Sequence, residues 1–194
     1  DEEAAGHGGG SIATAPPPPA RVLAVVRAVA LRLHEAGVPW MLAGSAARLV
    51  RGEAVRPHDV DVEVREQDAA RAARALGLPP PAVAEGGGWR SMRSQGAING
   101  VPIDLSGGIT VTGPRGMLGG PDPTDGVTVT EGDSHRGGTL RLLPDGEALA
   151  RAMVSGDDTR RARAEAALPD DPAARAAVLA YAESRIAAAA SAAR

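Results

Sequence analysis

Residues 59 to 64 read Asp-Val-Asp-Val-Glu-Val, and Arg56, Pro57 and His58 stand just before them. An acid at every second position, with valine between, is the pattern of a half-buried β-strand. Its period of two sends Val60, Val62 and Val64 to one face and Asp59, Asp61 and Glu63 to the other. The valine face demands a core beneath it. The acid face is either a wetted sheet surface or the cation-binding half of an active site.

The flanking sequence supplies that core. Apolar residues at 22, 23, 25, 26, 29, 30 and 33 share one helical stripe over 20–36, and Gly37 stands where a left-handed residue ends a helix. Residues 38–43 read as a buried strand, and 44–52 as a small-residue turn into a short helix ending at Gly52. A second amphipathic helix spans 66–77, and residues 78–88 follow without periodicity. Asn99-Gly100, between two alternating runs in 89–106, is a strong hairpin signal. Short strand-like pieces recur at 109–112, 126–130 and 139–143, before helices near 145–154, 158–167 and 171–190. The expected class is α+β, a mixed sheet flanked by helices with a helical C-terminal segment. The expected divisions are a Gly/Pro-rich disordered tail over 1–19, an α/β core over 20–143, and helices packed on that core over 144–194.

Composition narrows the chemistry. With 194 residues, one core is expected, and aromatic residues at 2% leave Ala, Val, Leu and Ile to fill it. All 21 basic residues are arginine, so Schiff-base chemistry and a P-loop lysine are excluded and any charged phosphate contact must be an arginine. No cysteine is present, which excludes disulfides, a thiol nucleophile and cysteine-ligated zinc. A net charge of -3 and a pI near 5.8 argue against a broad nucleic-acid surface. The most apolar segment, 22–33, is too short for a bilayer and carries Arg27 and Arg32, and no signal peptide is read, so a cytoplasmic protein without a membrane partner is expected.

Parity decides how the acids are read. In Val101-Pro102-Ile103-Asp104-Leu105 the apolar residues share one face and Asp104 takes the other. If this strand neighbours 59–64, Asp59, Asp61 and Asp104 converge on one accessible face. Hard oxygen ligands on rigid strands suit Mg²⁺. The Gly44-Ser45 turn, at a helix N-terminus, offers backbone N–H groups to phosphates. A lone Asp-x-Asp on a strand is more often a polar outer face. Here an apolar strand into Gly44-Ser45, thirteen further residues, the Asp59/Asp61 pair and then Asp104 occur together.

That conjunction resembles the nucleotidyltransferase superfamily, whose signature is an apolar residue, Gly-Gly or Gly-Ser, a spacer, then two acids flanking an apolar residue, with a third acid on a later strand. The local Arg-Pro-His-Asp-Val-Asp-Val looks like the antibiotic nucleotidyltransferases of the lincosamide type and the toxin-like ones of abortive-infection systems. The likeness covers residues 38–106, about a third of the chain, and implies a nucleotidyltransferase-like sheet. It implies that Asp59, Asp61 and Asp104 hold two Mg²⁺ ions, that Asp104 also serves as general base, and that Gly44 and Ser45 hold the phosphates of an NTP. The implied reaction transfers a nucleoside monophosphate to an acceptor hydroxyl of a small molecule, a protein or a tRNA end, releasing pyrophosphate by two-metal catalysis.

Other residues are weighed beside these. Arg56 and His58 adjoin the acid pair and are candidate contacts to phosphate or base. Glu63 lies ~7 Å beyond Asp61 along a strand and is expected to face solvent or to support the site. Arg48 and Arg51, and the cluster Arg160, Arg161 and Arg163, could face a nucleotide, but a solvated helix face is the commoner role. Toxin-like relatives use a C-terminal lysine on the nucleotide, a contact that Arg151 or Arg160 would have to take here. Two further functions stay open: a catalytically inactive nucleotidyltransferase-fold binding or regulatory protein, and the toxin of a toxin-antitoxin pair that modifies RNA.

Overall fold

A computed structural model describes residues 15–130 and 139–192. It places β1 (Trp40–Ala43), β2 (Val60–Val64), β3 (Ala82–Gly86), β4 (Trp89–Ile98), β5 (Val101–Gly113), β6 (Gly116–Gly119), β7 (Val127–Thr130) and β8 (Thr139–Leu142) in one mixed sheet. The order across it is β3-β4-β5-β2-β1-β8-β7, with β6 added on β5. Around it lie α1 (Pro19–Glu35), α2 (Gly44–Val50), α3 (Ala69–Leu76), α4 (Glu147–Ser155), α5 (Asp158–Ala166) and α6 (Pro172–Ala192).

The valine face of β2 explains the layer beneath it. Val60 and Val62, with Val101, Ile103 and Leu105 of β5, meet Val22, Val25, Val29 and Leu33 of α1 and Ala69, Ala72 and Ala73 of α3. These are small side chains, so the shortage of aromatic residues is met by alanine, valine and leucine. A second cluster joins α4 and α6 to the far half of β5 and to β6 through Val111, Leu118, Leu149, Val154, Ala182 and Ala189. That cluster lies beyond the acid face and carries the C-terminal helices.

Local signals in the sequence set most boundaries. Pro19 opens α1, where a missing N–H costs nothing, and Gly37 follows the helix with a φ of 61°. Gly77 ends α3 at a φ of 72°. Asn99 and Gly100 take φ values of 50° and 74°, the left-handed pair that a two-residue hairpin turn between β4 and β5 requires. The expected helix over 66–77 begins instead as a short 3-10 turn, Glu66–Asp68, before α3.

Three expectations need correction. The segment 78–88 is not without structure: Ala82–Gly86 forms β3, an edge strand paired antiparallel with β4. Its residues are largely exposed, so it buries too little to show alternation, and backbone pairing alone marks it. The piece at 109–112 is the continuation of β5, which turns at Pro114-Arg115 into β6. Glu63 does not face solvent, as the site below explains. Of the 1–19 tail, residues 1–14 lie outside the described residues. No described helix is long and apolar enough to cross a membrane.

Candidate active site

Strand order brings the acids together. β2 and β5 are parallel neighbours, and their register sets Asp61 directly beside Asp104. On the other side of β2, Asp61 is the register partner of Ala43, the last residue of β1. The chain then turns through Gly44, at a φ of 62°, into α2, with Ser45 as its second residue and no side chain capping the helix start. A Cβ at Gly44 would stand 1.9 Å from Oδ2 of Asp61, so only glycine leaves that carboxylate its place. The structure thus gathers Gly44, Ser45, Asp59, Asp61 and Asp104.

The electrostatics are those of an under-compensated anionic cluster. Burial, then the nearby charges of Asp59, Asp104 and Glu63, push the Asp61 carboxyl up from 3.8 to about 7, with Arg93 opposing. Such a cluster favours a cation, and its carboxylate oxygens are the donor type that Mg²⁺ selects. The donors therefore fit the ion in kind. Their present arrangement is another matter: among the described residues no group of three or more His, Cys, Asp or Glu side chains is set to hold a metal.

β4 brings a guanidinium to this cluster. Arg93 holds Asp104 through two hydrogen bonds, Nε to Oδ1 at 2.9 Å and Nη2 to Oδ2, and Gln95 Nε2 donates to Oδ2 at 3.2 Å. Neither Arg93 nor Gln95 is an expected site residue. The Asn99-Gly100 turn was the signal, because a two-residue turn fixes the hairpin register and makes Gln95 the partner of Asp104.

Glu63 belongs to a buried network. Arg151 of α4 donates from both terminal nitrogens to Glu63, each at 2.8 Å, and from Nε to Glu147 at 2.9 Å. Glu147, fully buried, also accepts from the Tyr181 hydroxyl at 3.0 Å and from Arg185 Nε at 2.9 Å. Two carboxylates and two guanidinium groups balance in charge. Burial works against the Arg151 charge, but Glu63 and Glu147 outweigh it and hold the guanidinium above its ordinary value. Burial and the Glu147 charge likewise push the Tyr181 phenol up.

The remaining candidates separate. Arg56 and His58 are exposed in the loop before β2. Arg48 pairs with Glu53 at 2.7 Å, while Arg51 donates to the Leu143 carbonyl at 2.8 Å and pairs with Asp145 at 3.0 Å. Arg160 stacks over the Trp89 ring, 4.3 Å from its centroid, and pairs with Asp157. Arg161 pairs along its own helix, and Arg163 is exposed. Arg151, buried against Glu63 and Glu147, is not free to contact a nucleotide, whereas Arg160 is half exposed over Trp89. Beside Gly44 opens a cavity of about 190 Å³ between α2 and the C-terminal helices, lined in part by Ala47, Arg51, Leu149, Leu168 and Val178.

Comparison with known proteins bears on the fold. A crystal structure of a protein from Thermotoga maritima, proposed to be a nucleotidyltransferase, superposes with a TM-score of 0.55 at 19% identity, over 76% of this chain and 90% of that one. No protein-family model and no curated protein matches the chain. At that identity the likeness is one of architecture, and the architecture is nucleotidyltransferase-like: a mixed sheet with helices on its faces and a helical C-terminus.

Proposed function

We propose that the chain is a Mg²⁺-dependent nucleotidyltransferase that moves a nucleoside monophosphate from an NTP to an acceptor hydroxyl. The observation that carries this reading is the side-by-side placement of Asp61 and Asp104 on parallel strands, next to a turn where Gly44 makes room for the Asp61 carboxylate.

In this reading Asp59, Asp61 and Asp104 hold the cation, which when bound neutralises phosphate charge. The first backbone N–H groups of α2, at Gly44 and Ser45, orient the NTP phosphates. Arg56 and His58, exposed beside the acid pair, reach the phosphates or base. Asp104 accepts the proton of the attacking hydroxyl. The new bond joins the acceptor oxygen to the α-phosphorus, the bond to the β-phosphate oxygen breaks, and pyrophosphate leaves with that electron pair.

A second reading, an inactive binding protein on the same scaffold, draws on the Arg93 pair that occupies Asp104. Incubation of the protein with each of the four NTPs, Mg²⁺ and candidate acceptors, with pyrophosphate release as readout, separates the two. Release that disappears in Asp61→Asn and Asp104→Asn supports the enzyme. Calorimetric binding of an NTP without release in any acceptor screen supports the binding protein, and absence of NTP binding removes both.

A further inference from the structure

We infer that Arg93 is a resident counterion of the carboxylate cluster, seated on Asp104 and displaced when a divalent cation enters, so that metal binding and release of this guanidinium are one coupled event. The inference rests on the metal-dependent reading above and deepens it.

Three observations carry it. First, Asp61 and Asp104 stand side by side, Asp59 just before β2 adds its charge at Asp61, and Arg93 on the adjoining strand is the group that pairs with Asp104. Second, the pair is bidentate and takes an oxygen of Asp104 with each nitrogen, while Gln95 adds a donor to Oδ2. Both oxygens of Asp104 already accept from Arg93, so a cation that takes an Asp104 oxygen competes with the guanidinium for it. Third, Arg93 is 46% exposed whereas Asp104 is 16% exposed. The guanidinium can swing into water without unpacking the sheet, whereas the carboxylate is anchored. The acid stays and the arginine leaves.

Displacement adds a guanidinium to the site beside Arg56. The chain contains no lysine, Arg151 is buried between Glu63 and Glu147, and a released Arg93 stands at the rim of the site as a mobile planar donor able to take an anionic oxygen of the substrate. The cation thus does two things at once, filling the ligand set and freeing a guanidinium.

The test is binding of Mg²⁺ alone and of Mn²⁺ alone, by calorimetry, to the wild type, Arg93→Gln, Arg93→Ala and Arg90→Ala. Arg90 sits on the same strand and pairs with Glu66 and Glu85, so its removal controls for net charge. The expected result is affinity about tenfold higher in both Arg93 variants and unchanged in Arg90→Ala. In the wild type the Arg93 Nε–H resonance, sharp in the bidentate pair, should shift and broaden as metal saturates. Unchanged affinity in the Arg93 variants, equal tightening in Arg90→Ala, or an Arg93 signal indifferent to metal overturns the inference and leaves the enzyme reading standing. Weaker binding in the Arg93 variants overturns it as well, because Arg93 would then orient Asp104 for the ion. Absence of metal binding in every protein sinks both.

Discussion

Replacing Asp61 by asparagine should stabilise the metal-free protein above neutral pH. The carboxyl is raised from 3.8 to about 7 by burial and by Asp59, Asp104 and Glu63. At ~1.4 kcal/mol per pKa unit, the ionised form costs the native state ~4 kcal/mol. The side chain keeps some contact with water, which screens the repulsion, so we take about 2–4 kcal/mol. Because folding raises this pKa, the native state holds the proton more tightly than the unfolded chain. The stabilisation is therefore complete below the unfolded value near 3.8 and is lost as pH rises through about 7. Asparagine has nearly the same shape and no charge to acquire. For a chain of this length each kcal/mol moves Tm by about 2–4 °C. Calorimetric unfolding in EDTA should then show wild type and Asp61→Asn melting together near pH 4, and the variant melting roughly 5–15 °C higher at pH 8. Adding Mg²⁺ at pH 8 should raise the wild type and leave the variant nearly still. A variant that melts lower than the wild type at pH 8, or a gap independent of pH, would refute the argument.

Other outcomes follow from the same geometry. Arg151→Ala leaves Glu63 and Glu147 buried without their shared cation and should cost about 3–5 kcal/mol in urea unfolding; adding Glu63→Gln to it should cost much less than the two single changes together. Gly44→Ala meets both a left-handed backbone, worth ~1–2 kcal/mol, and the Asp61 carboxylate, so nucleotide transfer should fall sharply. In an Asp61→Gly background only the backbone part should remain, read as a smaller drop in Tm. Arg56→Ala, at an exposed position, should leave Tm within about 1 °C and raise the KM for NTP several-fold; an unchanged KM excludes Arg56 from the nucleotide.

What the sequence discloses depends on how local each determinant is. The valine and acid alternation of 59–64, the Asn99-Gly100 turn and the closing glycines at 37 and 77 are local, and the corresponding elements stand where expected. The placement of Asp61 beside Asp104 was conditional on β2 and β5 being neighbours, a parallel pairing across forty residues that no local pattern states. β3 was invisible because an exposed edge strand needs no apolar face. Glu63 misled for the opposite reason: its alternation matches that of Asp61, but α4 arrives from nearly ninety residues away to cover one and not the other. Arg93 is one step less local: the Asn99-Gly100 turn fixes the hairpin register that pairs Gln95 with Asp104, and Arg93 reaches Asp104 diagonally from two residues away on the same face.

The Glu63–Arg151–Glu147 network has a consequence for how such a chain can change by descent. An ancestor trading its C-terminal helices for another set would leave Glu63 ionised beneath an apolar neighbour, and substitution of Glu63 alone would strand Arg151. No single replacement crosses that valley cheaply. The strand that bears the acids and the helices that roof them are in effect one heritable unit, and a laboratory chimera joined anywhere between residues 64 and 146, which takes Glu63 from one parent and Glu147 and Arg151 from the other, should fold only when both parents carry these three residues.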